Sequence, residues 1–237
     1  RVDRTDRKIK SAVANRPLLE QPDKANTTPV QLDISIGFGF RPAGFRIGAV
    51  SRSISVSPQP DKRMHRLPRF IAPQQRYGVI RLGYGHEYGF ALDLAASGYR
   101  MFLDHNRNGD LRDDGKPMLN QGKGLFASKL ILPLARVTGI PRLKGDYKLW
   151  VYTNPESWSK GKMRYYSMTQ LRGELLLNGR KYAAYLADNG PLDGDYRNDG
   201  ISIDLNGDGK INRGAEFFPP GKPVMINGDT YSFRITR

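Results

Sequence analysis

The feature that most constrains the fold is a series of short segments in which apolar and polar residues alternate. Residues 31–38 carry apolar side chains at every second position, which is the pattern of a half-buried β-strand. The dipeptides Asn178-Gly179 and Asn227-Gly228 predict tight hairpins between such segments. Strands are therefore predicted at residues 31–38, 45–50, 77–82, 88–94, 99–103, 147–152, 173–177, 182–186, 201–204 and 231–235.

The balance of turn-forming and helix-forming residues also favours an all-β chain. The 26 glycines and 16 prolines suit many short strands joined by turns. Asp outnumbers Glu by 18 to 5, and Asp is typical of turns and of oxygen-ligand loops whereas Glu is typical of helix surfaces. Short helices or turns are predicted at residues 154–160 and 214–217, and residues 127–137 fit either a strand or an interrupted element.

The two halves of the chain resemble a degenerate repeat. In each half a Gly-containing strand, a turn, a Tyr-containing strand and an aspartate precede a strand that ends in a loop rich in Asp, Asn and Gly. The shared order favours a duplication over a chance match. The predicted architecture is all-β, with an extended N-terminal arm at residues 1–29 and two related β-sandwich-like halves at residues 30–140 and 141–237, each carrying one inserted loop.

The loop of the second half reads Asp-Leu-Asn-Gly-Asp-Gly-Lys-Ile-Asn from residue 204 onward. Oxygens at positions 1, 3 and 5 of such a loop converge on one point, and the glycine at position 6 permits the sharp turn. Calcium takes about six to eight oxygen ligands of this kind. Candidate ligands in this second loop (residues 204–216) are Asp204, Asn206, Asp208, Lys210 through its carbonyl group, and Asn212.

This stretch resembles the calcium loops of dockerin modules and EF-hands over about a dozen residues. The resemblance implies calcium binding by the loop alone, not a fold for the chain. It departs at position 12, where Ala215 replaces a carboxylate, and in the Phe-Phe-Pro-Pro run that prevents a long exiting helix. The closing carboxylate is expected from Glu216 or from elsewhere. Candidates that would complete this ligand set or hold another ion are Asp188, Asp193, Asp195 and Asp199.

The first loop (residues 104–114) has the same 1-3-5-Gly-6 spacing, with Leu111 as its apolar anchor. Asn replaces Asp at position 5, so fewer charges and weaker calcium binding are expected unless a later aspartate compensates. Its candidate ligands are Asp104, Asn106, Asn108, Asp110, Asp113 and Asp114.

Calcium suits these loops better than other metals do, and two or more ions are expected. Magnesium resists dehydration and rarely uses an all-protein cage, whereas zinc and copper need nitrogen or sulfur ligands that the loops lack. The alternative is that both loops are plain Asx/Gly turns without a metal.

Positive charge is concentrated in one stretch of the first half. The formal net charge is +15, and residues 41–81 contain nine Lys and Arg against one acid, Asp61. A basic surface of this kind attracts polyanions such as acidic polysaccharide, although solubility alone also explains it. No nucleic-acid motif accompanies the stretch, so specific reading of DNA or RNA is not expected. Candidate polyanion-binding residues are Arg41, Arg46, Arg52, Lys62, Arg63, Arg66 and Arg69.

The loops favour a protein that works outside the cytosol. Extracellular calcium is millimolar, which suits moderate-affinity sites, and no apolar run approaches the ~20 residues of a membrane span. The chain has no cysteine, so it has no disulfide framework and no thiolate zinc site. We expect a secreted or cell-surface protein, with the periplasm as an alternative.

The leading hypothesis is a calcium-binding structural or adhesive protein, a subunit of a surface assembly or filament, that self-assembles through its N-terminal arm. The alternative is a binding module for acidic polysaccharide or cell envelope. A calcium-dependent polysaccharide lyase or a hydrolase is the third hypothesis, with His86 and Tyr84 or Tyr88 as the lyase candidates. The sequence has no nucleophile elbow, phosphate loop or metalloprotease motif, so the enzymatic hypothesis is the weakest.

Overall fold

The structure is a computed structural model that describes residues 28–44, 50–83 and 85–237. These residues form an all-β protein, as the alternating pattern predicted, with four sheets and short helical turns. The strands are β1 (Val30–Ser35), β2 (Arg41–Gly44), β3 (Arg52–Ser55), β4 (Gln75–Leu82), β5 (His86–Asp93), β6 (Arg100–Leu103), β7 (Met118–Leu119), β8 (Phe126–Pro133), β9 (Asp146–Thr153), β10 (Lys162–Ser167), β11 (Thr169–Leu177), β12 (Arg180–Ala187), β13 (Ile201–Ile203), β14 (Phe217–Phe218), β15 (Val224–Ile226) and β16 (Asp229–Thr236).

The helical elements are few and short. Helix α1 (Leu134–Thr138) follows β8 directly, so the ambiguous segment at residues 127–137 is a strand that runs into a single helical turn. Helix α2 (Pro155–Ser159) lies where a helix was predicted, and its Asn154 cap accepts a hydrogen bond from the Ser157 amide at 2.8 Å. A 3-10 turn spans Tyr196–Asn198. No helix among the described residues is long and apolar enough to cross a membrane.

The four sheets have the strand orders β4-β5-β6-β7, β14-β13-β12-β11-β2, β3-β10-β9-β8 and β1-β16-β15. Most neighbours are antiparallel, and β1 pairs with β16 in parallel, with Val30 opposite Tyr231. Both predicted hairpins are confirmed. Asn178-Gly179 joins β11 to β12 and Asn227-Gly228 joins β15 to β16, and all four residues have the positive φ that this turn type needs.

Strands from the two sequence halves share sheets and a core. Strand β8, from the first half, pairs with β9, while β2 and β3 pair with β11 and β10 of the second half. One contiguous hydrophobic cluster extends from Ile34 through Tyr88 and Leu149 to Phe233. A smaller cluster around Met64 and Leu111 lies beneath the first loop. The boundaries of the repeat therefore do not coincide with the boundaries of the sheets.

The repeat is visible in two three-stranded units, β4-β5-β6 and β11-β12-β13. In each unit the third strand ends at an aspartate whose amide bonds back to the second strand. The Asp104 amide donates to the Gly89 carbonyl at 2.8 Å, and the Asp204 amide donates to the Ala183 carbonyl at 2.9 Å. Both metal-loop candidates thus begin at the same point of an equivalent unit.

Several sequence predictions fall outside the described residues. These are residues 1–27 of the predicted arm, residues 45–49 of the predicted strand 45–50, and the candidate residues Arg46 and Tyr84. Assembly through the arm stays a prediction.

Candidate metal-binding loops

The first loop is held between a strand and the smaller core cluster. Asp104 follows β6 directly and is buried, and the side chain of Leu111 is only 1% exposed. The Leu111 amide donates to the Arg66 carbonyl at 3.0 Å, which ties the end of the loop to the segment before β4. Both ends of the loop are therefore fixed by packing that does not involve a metal.

Within the first loop, side-chain oxygens at positions 1, 3 and 5 bond to amides further along. The two carboxylate oxygens of Asp104 accept from the amides of Asn108 (3.0 Å) and Gly109 (2.9 Å). Asn106 Oδ1 accepts from the Asn108 amide at 2.9 Å, and Asn108 Oδ1 accepts from the Asp110 amide at 2.7 Å. These bonds fold the side chains of positions 1, 3 and 5 over their own turn.

The second loop repeats three of these bonds. Asp204 Oδ2 accepts from the Gly209 amide at 3.0 Å, which is the bond from position 1 to position 6. Asn206 Oδ1 accepts from the Asp208 amide at 2.9 Å, and Asp208 Oδ1 accepts from the Lys210 amide at 2.7 Å. Two loops a hundred residues apart thus adopt one hydrogen-bond pattern at the same point of equivalent strand units.

A carboxylate closes each loop. In the second loop the buried Glu216 accepts from the amides of Leu205 at 3.0 Å and Asn212 at 2.8 Å, and more weakly from Asn206 at 3.4 Å. In the first loop, Asp114 Oδ1 accepts from the Asn106 amide at 3.1 Å. Both carboxylates reach the amide of the position 3 residue, so Asp114 and Glu216 have equivalent places although their sequence offsets differ.

The first loop contains a buried carboxylate oxygen without a partner. Asp114 Oδ2 makes no hydrogen bond among the described residues. Burial, with Asp104 and Asp113 nearby, raises the pKa of Asp114 above its ordinary value. Asp113 is also within the loop, since its two oxygens accept from the side-chain amides of Asn106 and Asn108 at 3.1 and 2.8 Å. The first loop thus collects the side chains of Asp113, Asn106 and Asn108 through these bonds.

Other candidate side chains are already engaged elsewhere. The Arg112 guanidinium binds the Asp110 carboxylate at 2.8 Å and holds the pKa of Asp110 well below its ordinary value. Asp110 is the position 7 residue, and its backbone carbonyl takes no part in this ion pair. Asn212 Oδ1 accepts from the Gly214 amide at 3.0 Å, which fixes it in a turn of its own. Lys210 enters the pattern through its backbone amide, which donates to Asp208.

The aspartates upstream of the second loop lie apart from it. The ladder between β12 and β13 pairs Ala184 with Ile203, and the Asp204 amide bonds to Ala183. Asp188 is five residues further along, which is about 17 Å at the usual strand rise. Asp188 therefore does not complete the ligand set of the second loop. Asp193 and Asp195 accompany it in the connection between β12 and β13, where they cap local turns.

The basic candidates are spread over different parts of the molecule. Arg41 is on β2 at the edge of the five-stranded sheet, and Arg52 is on β3 in another sheet. Arg63 forms ion pairs with Asp61 and Glu87, and Arg66 pairs with Asp110 at 3.4 Å. Lys62 and Arg69 are exposed.

Of the lyase candidates, the structure describes His86 and Tyr88. Tyr88 is fully buried in the main core, and burial raises the pKa of its hydroxyl above the ordinary value. Burial and the neighbouring Arg107 lower the pKa of His86. A cleft of about 600 Å³ is lined by Ser53, Ser55, Gln59, Asp61, Tyr77 and Tyr165 among others, and by neither His86 nor Tyr88.

The acidic side chains of the loops are not gathered into one metal-holding cluster, and the chain has no match among known proteins. Over residues 28–44, 50–83 and 85–237, no group of three or more His, Cys, Asp and Glu side chains is arranged to hold a metal ion. Calcium loops of this kind also use the oxygens of asparagine side chains and of the backbone, which are not His, Cys, Asp or Glu side chains. Comparison with protein-family models, curated proteins and solved structures finds no match.

Proposed function

We propose that this chain is a calcium-binding structural or adhesive protein of the cell exterior, with the first and second loops as its two principal sites. The observation that carries the proposal is the duplicated hydrogen-bond pattern, in which position 1 bonds to the Gly amide at position 6, position 3 to position 5, and position 5 to position 7. A plain turn needs only one or two such bonds, and it needs no closing carboxylate.

The chemistry of the donor set favours calcium. Each loop offers carboxylate, amide and carbonyl oxygens, which are the hard ligands that calcium takes in a flexible arrangement. The unpartnered Asp114 Oδ2 supports a cation in the first loop, because a buried carboxylate oxygen without a partner is costly. The second loop contains three carboxylates, Asp204, Asp208 and Glu216, that each accept from loop amides, so its charge favours a divalent ion.

A bound ion would stabilise the ends of the equivalent strand units. The first loop connects β6 to the chain that leads to β7, and the second connects β13 to β14. Neutralising the loop carboxylates would remove their mutual repulsion. The ion would also cross-link loop segments that are otherwise joined by hydrogen bonds to backbone amides. Millimolar calcium outside the cell suits this role, which supports export and a structural or adhesive function.

Calorimetric titration of calcium into the chelator-treated protein tests the two loops. Asp104→Asn and Asp204→Asn are each expected to remove one calcium site and leave the other, since each replaces the carboxylate at position 1. Asp146→Asn, an exposed change outside both loops, is the matched control and is expected to titrate like the unaltered protein. Unchanged calcium uptake in both loop variants would overturn the proposal.

A further inference from the structure

A second kind of carboxylate pair lies at the far end of the β12–β13 ladder. Continuing the register that pairs Ala184 with Ile203 places Asp188 opposite Asp199. The two residues are 1% and 8% exposed, so both carboxylates lie inside the protein. Mutual repulsion and burial disfavour two facing carboxylates unless something neutralises them.

Each carboxylate uses only one of its two oxygens. Asp188 Oδ2 accepts from the Tyr147 hydroxyl at 2.5 Å and from the Gly194 amide at 2.8 Å. Asp199 Oδ1 accepts from the Asn189 amide at 3.3 Å and from the Gly190 amide. Asp188 Oδ1 and Asp199 Oδ2 are buried and have no hydrogen-bond partner within the described chain. The unsatisfied acceptors thus come from two facing residues.

The first half of the repeat shows how the protein neutralises a similar carboxylate. There the β5–β6 ladder ends with Asp93 opposite Arg100, and the two side chains form an ion pair at 2.8 Å. Asp93 also accepts from the amides of Ile71 and Ala72, so both of its oxygens are bonded. Beyond the end of the β12–β13 ladder, at a position one residue further from the loop, the register instead brings two aspartates opposite each other, and neither is paired with a guanidinium of the described residues in the way that Asp93 is.

From this contrast we infer a third cation site, separate from the two loops, in which a divalent ion of the calcium class binds Asp188 Oδ1 and Asp199 Oδ2. The ion supplies the positive charge that Arg100 supplies to Asp93 in the first half. Two carboxylates neutralise one divalent ion, and its remaining positions fall to backbone carbonyls and water. The site would fasten the connection at residues 188–199, including the buried Tyr196, to the end of the sheet.

Counting bound calcium in the purified full chain by atomic emission tests this site. Three ions per chain are expected for the unaltered protein and two for the double variant Asp188→Asn/Asp199→Asn. The loop double variant Asp104→Asn/Asp204→Asn is expected to retain one ion. Failure of the loop sites would appear as unchanged uptake in the loop variant, so it is distinguishable from failure of this site. Equal ion counts in the unaltered protein and the Asp188→Asn/Asp199→Asn variant would overturn the inference.

Thermal unfolding keeps the test decisive if the ion count is low. In chelator, the Asp188→Asn/Asp199→Asn variant is expected to be at least as stable as the unaltered protein, because it lacks the facing charges. Its gain in midpoint temperature on calcium addition is expected to be smaller. An equal gain in both proteins would show that calcium does not act through these two carboxylates, and would overturn the inference. If the double variant does not fold, the single Asp199→Asn variant gives the same comparison.

Discussion

At the residue scale, the glycines at position 6 of the two loops have the same backbone and different surroundings. Gly109 and Gly209 have φ values of 80° and 73°, which side chains rarely adopt. A Cβ at residue 109 would meet the Arg63 carbonyl oxygen at 2.1 Å, whereas one at residue 209 meets no atom within 4 Å. The first loop is therefore packed against the segment before β4, and the second loop faces open space at this point.

This difference predicts unequal costs for one substitution. Gly209→Ala is expected to lower the free energy of unfolding by about 1–2 kcal/mol through backbone strain alone. Gly109→Ala adds a collision with backbone and is expected to cost about 3 kcal/mol or more. Urea unfolding in chelator measures both, and equal losses would contradict the packing of the first loop.

The buried ion pair of Asp93 gives a prediction with a defined pH dependence. Burial opposes ionisation of Asp93, but the amides of Ile71 and Ala72 and the Arg100 guanidinium outweigh it, so its pKa lies below the ordinary 3.8. A lowered pKa means that the unfolded chain takes up the proton first as pH falls. The stabilisation is therefore complete well above pH 4 and is lost as pH falls through the lowered pKa.

Asp93→Asn is accordingly expected to cost roughly 3 kcal/mol at pH 7, because it leaves the half-buried Arg100 unpaired. The difference from the unaltered protein narrows as pH falls below about 4, where the unaltered carboxyl also becomes protonated. Glu174→Gln, which alters an exposed pair with Lys181, is the control and is expected to change little. Chemical unfolding at pH 7 and below pH 4 measures the difference in free energy of unfolding between the two proteins. A difference that does not change with pH would contradict the ion pair between Asp93 and Arg100.

What the sequence revealed at this scale was local. The spacing of Asp, Asn and Gly identifies the loop positions and leaves Glu216 or a residue elsewhere as the closing carboxylate. In the structure, Glu216 accepts hydrogen bonds from the loop amides. The hydroxyl of Tyr147 on Asp188 was missed, because the two residues are 41 positions apart and on different sheets. No spacing rule connects such residues, and the buried position of Tyr147 on β9 is known from the structure.

At the scale of elements, the first loop has less charge at position 5 than the second. Asn108 donates from its side chain to Asp113 and accepts from the Asp110 amide, so it links the middle of the loop to its end. A carboxylate at this position would keep the bond to Asp110 and add a charged ligand. It would also repel Asp113 when no cation is bound.

Asn108→Asp is therefore expected to raise the calcium affinity of the first loop about tenfold and to lower stability in chelator. Asn108→Ala removes the oxygen and is expected to weaken binding by a similar factor. Titration with the triple variant Asp188→Asn/Asp199→Asn/Asp204→Asn as the background isolates the first loop. Identical affinities for the two substitutions would show that position 5 does not face the ion.

Strands were easier to predict than their partners. Alternation and Asn-Gly turns are local signals, so the hairpins β11–β12 and β15–β16 followed from the sequence. The parallel pairing of β1 with β16 joins residues 201 positions apart, and no local signal specifies it. Helix α1 was ambiguous for a related reason, since its single turn is set by the strand before it and by Gly139 at its end.

At the scale of the whole molecule, the repeat and the architecture are interleaved. The two equivalent units keep their own loops, but β2, β3 and β8 pair across the sequence midpoint and one core joins all four sheets. The similarity of the two halves was readable because it lies in the order of motifs along the chain. The exchange of strands between halves was not, because it depends on packing between distant segments.

An interleaved core also means that each loop acts on the stability of the whole. A cation bound in either loop would shift the folding equilibrium of the shared core, since a ligand that binds only the folded state stabilises the folded state. When the free calcium concentration is a hundred times the dissociation constant of a loop, binding to that loop adds about 2.7 kcal/mol to the free energy of unfolding. For a chain of this size, two loops correspond to a rise in midpoint temperature of roughly 10–20 °C.

The most direct test of calcium binding is the thermal unfolding midpoint of the full chain in millimolar calcium and in excess chelator. We expect the midpoint to be higher in calcium by roughly 10 °C or more, and we expect the loop double variant Asp104→Asn/Asp204→Asn to lose most of that gain. Equal midpoints in calcium and in chelator would contradict calcium binding by this protein.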